Sequence, residues 1–100
     1  MVSTTQTEAY VDAAALSAVA QLLRRYGASD VFVFGSATKS TFRPGSDVDI
    51  AVTGLPPDVF FSAIAKASDI LGKPVDLVDL DDRTPRVRYL IGSGELVRVI

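Results

Sequence analysis

The chain of 100 residues contains no cysteine and no histidine. These absences exclude a thiol nucleophile, a Ser-His-Asp relay and a zinc site built from the usual Cys and His ligands. Any proton transfer would have to use Asp, Glu, Lys or Tyr. A bound metal would be a hard cation held by oxygen atoms, which favours Mg²⁺ or Mn²⁺.

Long apolar runs and a strong excess of either charge are missing as well. No apolar run reaches the roughly 18–20 residues that a membrane span needs. The first ten residues, MVSTTQTEAY, lack the basic start and the apolar stretch of a signal peptide. We therefore expect a cytoplasmic protein with no membrane partner. Ten basic residues against twelve acidic ones give a net charge of −2, so we expect no direct binding of nucleic acid.

Residues that can form a core are plentiful. Hydrophobic residues make up 48% of the chain and charged residues 22%, which is ordinary for a globular protein. A chain of this length can bury one modest core. We predict a single domain over residues 1–100, in which the polar residues 1–9 are flexible.

Apolar spacing predicts three helices and four strands. Two segments have apolar residues at helical spacing, and Thr84-Pro85 is typical of the start of a third helix. The helices are predicted at residues 12–26, 58–71 and 84–91. Runs rich in β-branched residues predict strands at residues 31–34, 47–53, 75–80 and 95–100. This order of elements indicates a compact α+β fold with α/β-like character.

Two aspartates, Asp47 and Asp49, lie two residues apart in the second predicted strand. Their side chains should leave the same face of the strand, while Val48, Ile50 and Val52 point to the opposite face. Two residues along a strand span ~6.6 Å. Because metal–oxygen bonds to Mg²⁺ are ~2.1 Å long, both carboxylates can reach one ion, or two ions ~3.5–4 Å apart.

A third carboxylate is expected at Asp76 on a neighbouring strand, ~4.8 Å away. By parity Asp76 and Asp79 face opposite ways, and Asp76 is favoured because Asp79 lies nearer the strand end. Three carboxylates within ~6 Å repel one another by ~2–3 kcal/mol per pair at an effective dielectric of about 20. A divalent cation would remove this repulsion. The sequence therefore predicts a metal site and catalytic centre formed by Asp47, Asp49 and Asp76.

A phosphate site is predicted directly before these aspartates. Gly35-Ser36 follows a strand and precedes a predicted helical turn at residues 36–40. Glycine lets the backbone approach a phosphate closely, and the serine hydroxyl and amide can donate hydrogen bonds to it. Lys39 and Arg43 lie in the following loop and are candidates to neutralise a β- or γ-phosphate.

Each of these features alone has an ordinary interpretation. A Gly-Ser pair after a strand is usually a turn, Asp-x-Asp is usually a polar strand face, and loop cations usually serve solubility. The joint placement of strand, Gly-Ser, a fixed gap and three strand aspartates favours phosphoryl or nucleotidyl transfer. The basic residues near the C-terminus are interpreted as a solvated helix face and not as a binding patch. They are Arg83, Arg86, Arg88 and Arg98.

The segment 35–49, GSATKSTFRPGSDVD, resembles the G-S-x10-D-x-D signature of the DNA polymerase beta-like nucleotidyltransferases. The Pro-Gly-Ser sequence at residues 44–46, the strand VDLV at residues 75–78 and the total length are similar to its smallest branch, the minimal nucleotidyltransferases (MNT). The similarity extends from about Val11 to the end of the chain.

This resemblance implies a polymerase beta-type nucleotidyltransferase fold, a mixed β-sheet flanked by helices. In such proteins the aspartates matching Asp47 and Asp49 hold Mg²⁺, and the one matching Asp76 helps to activate the acceptor hydroxyl. The Gly-Ser pair grips the nucleoside triphosphate. Many stand-alone members are similar to antitoxins paired with a HEPN-domain ribonuclease toxin. The resemblance implies that they transfer AMP from ATP to a tyrosine of that toxin.

The chain departs from the family pattern directly after Gly-Ser, where members often carry Arg and this chain has Ala37. Lys39 or Arg43 would then have to contact the phosphates instead. The leading hypothesis is a Mg²⁺-dependent nucleotidyltransferase whose acceptor hydroxyl arrives on another protein. The alternative is an antitoxin that neutralises its partner by binding alone. A third hypothesis is an α/β domain whose aspartates bind nothing.

Overall fold

The protein is described here from a computed structural model, which covers residues 12–35 and 47–100. The described part contains three α-helices and four strands in one sheet. The helices are α1 (Ala13–Arg25), α2 (Phe60–Leu71) and α3 (Pro85–Ser93). The strands are β1 (Asp30–Phe34), β2 (Val48–Thr53), β3 (Val75–Asp79) and β4 (Val97–Arg98). The predicted element order and the α+β class are confirmed.

The sheet is mixed, with the strand order β3-β2-β1-β4. Strand β1 pairs antiparallel with both β2 and β4, whereas β2 and β3 run parallel. The parallel pair requires a crossover, which is made by α2. Most boundaries differ from the prediction by one or two residues, and the third helix extends to Ser93 instead of ending near residue 91. Two differences are larger. The segment predicted as the start of the second helix forms a 3-10 turn at Pro57–Val59, and the terminal strand has only two residues.

Local sequence explains where the helices begin and end. The carboxylate of Asp12 accepts a hydrogen bond from the amide of Ala14 at the start of α1. Thr84 caps α3 by accepting a hydrogen bond from the amide of Val87, and Pro85 occupies the first helical position. Gly72 ends α2 in the left-handed conformation, with φ of 67°.

The sheet is covered on both faces, and this divides the core into two clusters. On one face, Val48, Ile50 and Val52 of β2 pack against buried residues of α1 and α2. The opposite face carries a second cluster around α3, whose members are Phe34, Ala51, Val78, Leu80, Val87 and Leu90. The alternation along β2 therefore places Asp49 on the face that α3 covers. Within residues 12–35 and 47–100, no helix is long and apolar enough to cross a membrane.

Candidate active site

Three side chains form a row across the sheet on the α3 face. The strand register pairs Phe34 with Asp49, and Asp49 with Asp76. Opposite residues on adjacent strands are direct neighbours. The structure therefore brings Asp49 and Asp76 together, as the parity argument predicts, and it pairs Asp79 with Val52 instead.

Asp49 occupies the middle of this row and is half-buried. Burial raises the pKa of its carboxyl group above the ordinary value of 3.8, and the nearby charge of Asp76 raises it further. Arg86 acts in the opposite direction, and Asp47 adds a smaller upward contribution. A cation beside Asp49 would therefore stabilise the ionised form of its carboxyl group.

Asp47 lies one residue before β2 and is exposed to solvent. It is close enough to Asp49 to affect the pKa of that carboxyl group, but it does not complete a compact three-ligand cluster. Among residues 12–35 and 47–100, no group of three or more Asp, Glu, His or Cys side chains is placed to hold one metal ion. The structure thus places Asp49 beside Asp76, with Asp47 at the margin of this pair, and metal binding by all three carboxylates remains a prediction.

Gly35 directly follows β1, and its backbone lies against Asp49. Its φ of 69° is in the left-handed region that favours glycine. A Cβ atom at this position would overlap Oδ2 of Asp49. The sequence predicts that this glycine lets a phosphate come close to the backbone. The structure shows a second reason for glycine, which the sequence pattern does not contain: Gly35 leaves space for the Asp49 carboxylate.

Arg86, in the first turn of α3, contacts the row formed by Phe34, Asp49 and Asp76, called the carboxylate row below. Its Nη2 donates a hydrogen bond to Oδ2 of Asp76 over 2.9 Å. Its guanidinium carbon lies 5.9 Å from the centre of the Phe34 ring, within the range of a cation–π contact. Arg86 therefore balances part of the charge that the sequence argument assigned wholly to a metal.

The interpretation of Arg86 as part of a solvated helix face was thus incomplete. Its side chain is 55% exposed, yet its charged end is held against Asp76. A signal was present in the sequence, because α3 follows β3 after only residues 80–84. A helix joined so closely to the strand that carries Asp76 must remain near it. Arg98, another member of the same set, lies in β4 and not on a helix.

The remaining predicted site residues are not placed by the structure. Ser36, Lys39 and Arg43 lie outside the described residues, as do Ala37 and the predicted helical turn at residues 36–40. Their assignment to phosphate binding remains a prediction from the sequence.

The carboxylate oxygens at this site suit Mg²⁺ although they do not surround an ion completely. Mg²⁺ is usually bound by one or two carboxylates, with waters and substrate phosphates supplying the other oxygens. Asp49 with Asp47 or Asp76 meets this requirement without a closed protein cage. The mutual repulsion within the Asp49–Asp76 pair, expressed in the raised pKa of Asp49, also favours a bound cation.

A family model gives an independent comparison with this geometry. Residues 18–98 match the model described as polymerase beta, nucleotidyltransferase. The chain therefore belongs to the polymerase beta nucleotidyltransferase family, and the resemblance drawn from the segment 35–49 is confirmed. A search of curated proteins finds no significant match.

Solved structures agree with this assignment. A protein described as a minimal nucleotidyltransferase is 30% identical, with a TM-score of 0.71 over 84% of this chain and 88% of that one. A toxin–antitoxin structure with AMP-PNP has a TM-score of 0.71 at 24% identity, covering 86% of this chain and 72% of that one. A complex from Shewanella oneidensis contains a tri-AMPylated HEPN toxin and an MNT antitoxin. Its matching chain is 23% identical, with a TM-score of 0.65 over 87% of this chain and 70% of that one.

Proposed function

We propose that this chain is a Mg²⁺-dependent nucleotidyltransferase that moves AMP from ATP to a hydroxyl group. The observation that supports this most directly is the register pairing of Asp49 with Asp76, beside Gly35, in a chain of the polymerase beta family. Two neighbouring carboxylates on β2 and β3, beside the glycine that follows β1, suit a reaction that joins a metal-bound phosphate to a hydroxyl.

The residues divide between binding and proton transfer. Asp47 and Asp49 would hold Mg²⁺, with Asp76 at the edge of its coordination. The bound ion would neutralise charge on the phosphate oxygens. Gly35 and Ser36 would receive the triphosphate, and Lys39 or Arg43 would contact its outer phosphates. Asp76 would accept the proton of the acceptor hydroxyl.

The transfer itself is an in-line displacement. The acceptor O–H bond breaks and its proton passes to Asp76. The hydroxyl oxygen then forms a bond to the α-phosphorus of ATP, while the bond from that phosphorus to the bridging β-phosphate oxygen breaks. Pyrophosphate leaves with the electron pair of the broken bond, and AMP remains on the acceptor.

We infer that the acceptor is a tyrosine on a HEPN ribonuclease toxin, and that the chain acts as its antitoxin. The support is the similarity to the MNT chain of a complex whose HEPN toxin carries three AMP groups, and to a toxin–antitoxin structure with AMP-PNP. At 23% and 24% identity these relatives share the fold, so the partner and the acceptor are proposals for this chain.

Labelled ATP tests the reaction. The chain is incubated with its candidate HEPN partner, Mg²⁺ and ATP labelled at either the α- or the γ-phosphate. Label carried to the partner from the α position alone supports nucleotidyl transfer. Label from the γ position indicates a kinase, and no transfer from either position contradicts the proposal.

A second candidate function, neutralisation by binding alone, is favoured by Ala37, at the position where the family pattern that the segment 35–49 resembles often has Arg. The variant Asp47→Asn/Asp49→Asn separates the two in cells that express the toxin. Rescue by the variant supports binding alone. Loss of rescue, with complex formation retained, supports catalysis.

A further inference from the structure

Tyr89 lies on the flank of α3 that reaches the carboxylate row. The helix packs on the sheet through Val87 and Leu90, which are buried. Arg86 contacts the row from one flank of the helix. Tyr89 follows Arg86 by three residues, so the two side chains lie on the same flank. Because Tyr89 is 63% exposed, most of its ring is open to a ligand at this edge of the site.

The phenol of Tyr89 donates a hydrogen bond to Oε2 of Glu95 over 3.1 Å. The turn between α3 and β4 is already closed without this bond. The hydroxyl of Ser93 donates to the carbonyl oxygen of Leu90 over 2.9 Å and accepts from the amide of Glu95 over 3.1 Å. The bond between Tyr89 and Glu95 therefore orients an aromatic ring and a carboxylate relative to each other, beyond what the turn requires.

Glu95 lies at the β4 end of the site. Strand β4 runs antiparallel to β1 and pairs Val97 with Val33. Leu96, which precedes Val97, packs against the cluster beneath α3. Continued by two residues toward α3, the register brings Glu95 level with Gly35, where the predicted phosphate site begins. In the strand order β3-β2-β1-β4, only two spacings of ~4.8 Å then separate Glu95 from β2 and its carboxylate.

The hydrogen bond also sets the chemical state of Tyr89. It raises the pKa of the phenol above the ordinary value of 10.0, so Tyr89 stays protonated near neutral pH and is a poor base or nucleophile. A neutral phenol ring is suited to stacking on a planar ligand. The carboxylate of Glu95 has two oxygens that can accept hydrogen bonds, so it suits an amino group. The pair offers a stacking surface beside a hydrogen-bond acceptor.

We propose that Tyr89 and Glu95 form the nucleobase site for the bound nucleotide. The ring of Tyr89 stacks on the base, and the carboxylate of Glu95 accepts a hydrogen bond from the exocyclic amino group of adenine. A triphosphate at Gly35, with its α-phosphorus over Asp49, extends its nucleoside along α3 toward β4. This inference rests on the proposed nucleotidyl transfer and deepens it, because it assigns the part of the chain that selects the nucleotide.

Equilibrium binding separates the base from the phosphates. Calorimetry compares the Mg²⁺ complexes of tripolyphosphate, which has no base, and of an ATP analogue that cannot be cleaved between its α- and β-phosphates. Tyr89→Ala should bind the analogue about fivefold to hundredfold more weakly than wild type, which is the cost of one lost base–aromatic stack. Its affinity for tripolyphosphate should equal that of wild type.

Phe61→Ala is the matched control for the loss of an exposed aromatic ring. Phe61 is 88% exposed and lies on α2, which packs on the opposite face of the sheet. This variant should change neither affinity. Wild-type affinity of Tyr89→Ala for the analogue, or an equal loss of affinity for tripolyphosphate, would overturn the proposal.

A change in the base isolates the contribution of Glu95. Purine riboside triphosphate differs from ATP only in lacking the 6-amino group. Wild type should bind ATP about threefold to tenfold more tightly than this compound, the effect of one hydrogen bond, and Glu95→Ala should bind the two alike. Asp69→Ala removes an exposed carboxylate from α2 and should keep the wild-type preference. A preference that survives in Glu95→Ala would overturn the assignment of Glu95.

Tyr89→Phe tests the hydrogen bond between the two residues. The variant keeps the ring but loses the hydroxyl group that holds Glu95. Its affinity for the ATP analogue should stay within about threefold of wild type, whereas its preference for the 6-amino group should fall. Binding as weak as that of Tyr89→Ala would mean that the hydroxyl group and not the ring contacts the nucleotide, which would contradict stacking.

The two proposals fail in different ways. Transfer of α-label by wild type, together with unchanged nucleotide binding in Tyr89→Ala, would keep the nucleotidyltransferase function and remove the nucleobase site. The expected binding changes without label transfer would keep the nucleobase site and remove the reaction. Absence of ATP binding by wild type would remove both. The substituted side chains are exposed or partly exposed, so all the variants should fold, which circular dichroism checks.

Discussion

Gly35 and Asp49 lie so close together that any Cβ atom at position 35 would overlap a carboxylate oxygen of Asp49. The glycine is the last described residue before the segment that carries Ser36, and the aspartate is the centre of the carboxylate row. The predicted phosphate site therefore begins directly beside the predicted metal site. A substitution at Gly35 should disturb both.

Gly35→Ala should destabilise the fold and also weaken metal binding. The left-handed backbone costs an alanine about 1–2 kcal/mol, and displacement of Asp49 should reduce Mn²⁺ affinity. Gly72→Ala is a matched control, since its φ of 67° is nearly the same and a Cβ there meets nothing within 4 Å. Denaturant unfolding should show similar losses in both variants. Normal Mn²⁺ binding by Gly35→Ala would contradict the role of the contact with Asp49.

Asp49→Asn should make the metal-free protein more stable at neutral pH. Because burial and Asp76 raise the pKa of Asp49 in the folded state, the folded chain binds this proton more tightly than the unfolded chain. The resulting stability is fully present below the unfolded pKa of about 3.8 and is lost as pH rises through the folded pKa. The advantage of Asp49→Asn over wild type should thus appear above pH ~4 and vanish below it.

Thermal unfolding in EDTA across this pH range measures the difference. Asp69→Asn, at an exposed position of α2, controls for the general effect of removing a negative charge. A pH-independent gap between Asp49→Asn and wild type would show that Asp49 is not the group responsible.

Divalent metal should stabilise the wild-type chain through the carboxylate row. A ligand at tenfold excess over its Kd adds about 1.4 kcal/mol to the free energy of unfolding, which raises Tm by several degrees in a domain of this size. Asp49→Asn should lose most of this increase, and EDTA should reverse it in the wild type. An equal Mg²⁺-dependent rise in Tm for both chains would place the ion elsewhere.

Leu90→Ala should weaken the attachment of α3 to the sheet. Leu90 is buried in the cluster with Phe34 and Ala51, and truncation of such a side chain costs about 2–5 kcal/mol. Ile91→Ala is the neighbouring control, because Ile91 is 47% exposed and should cost less than about 1 kcal/mol. Denaturant midpoints compare the two variants, and equal losses would contradict the observed orientation of α3.

Apolar periodicity along the chain predicts the helices and the strands. It also predicts the pairing of Asp49 with Asp76. Val48, Ile50 and Val52 mark one face of β2 as core, so Asp49 must face the other way. The same parity on β3 selects Asp76 over Asp79. These placements depend on local periodicity, which a sequence carries directly.

The contact between Arg86 and Asp76 could not be predicted from periodicity. It depends on how α3 docks through Val87 and Leu90, which is a tertiary property. Without that docking, Arg86 and Arg88 are two similar cations on one predicted helix. The contact between Gly35 and Asp49 joins the residue that directly follows β1 to a residue of β2. Periodicity along a single strand therefore cannot predict it.

The crossover between β2 and β3 has a consequence for how the protein loses function. Since the two parallel strands are joined through α2, Asp49 and Asp76 cannot meet within a local hairpin. Ala63 and Ala67 of α2 are fully buried in the main core, so detachment of this helix would also open the core under the two strands. The two acids therefore come together only when the crossover through α2 has formed, so the active site should appear late in refolding.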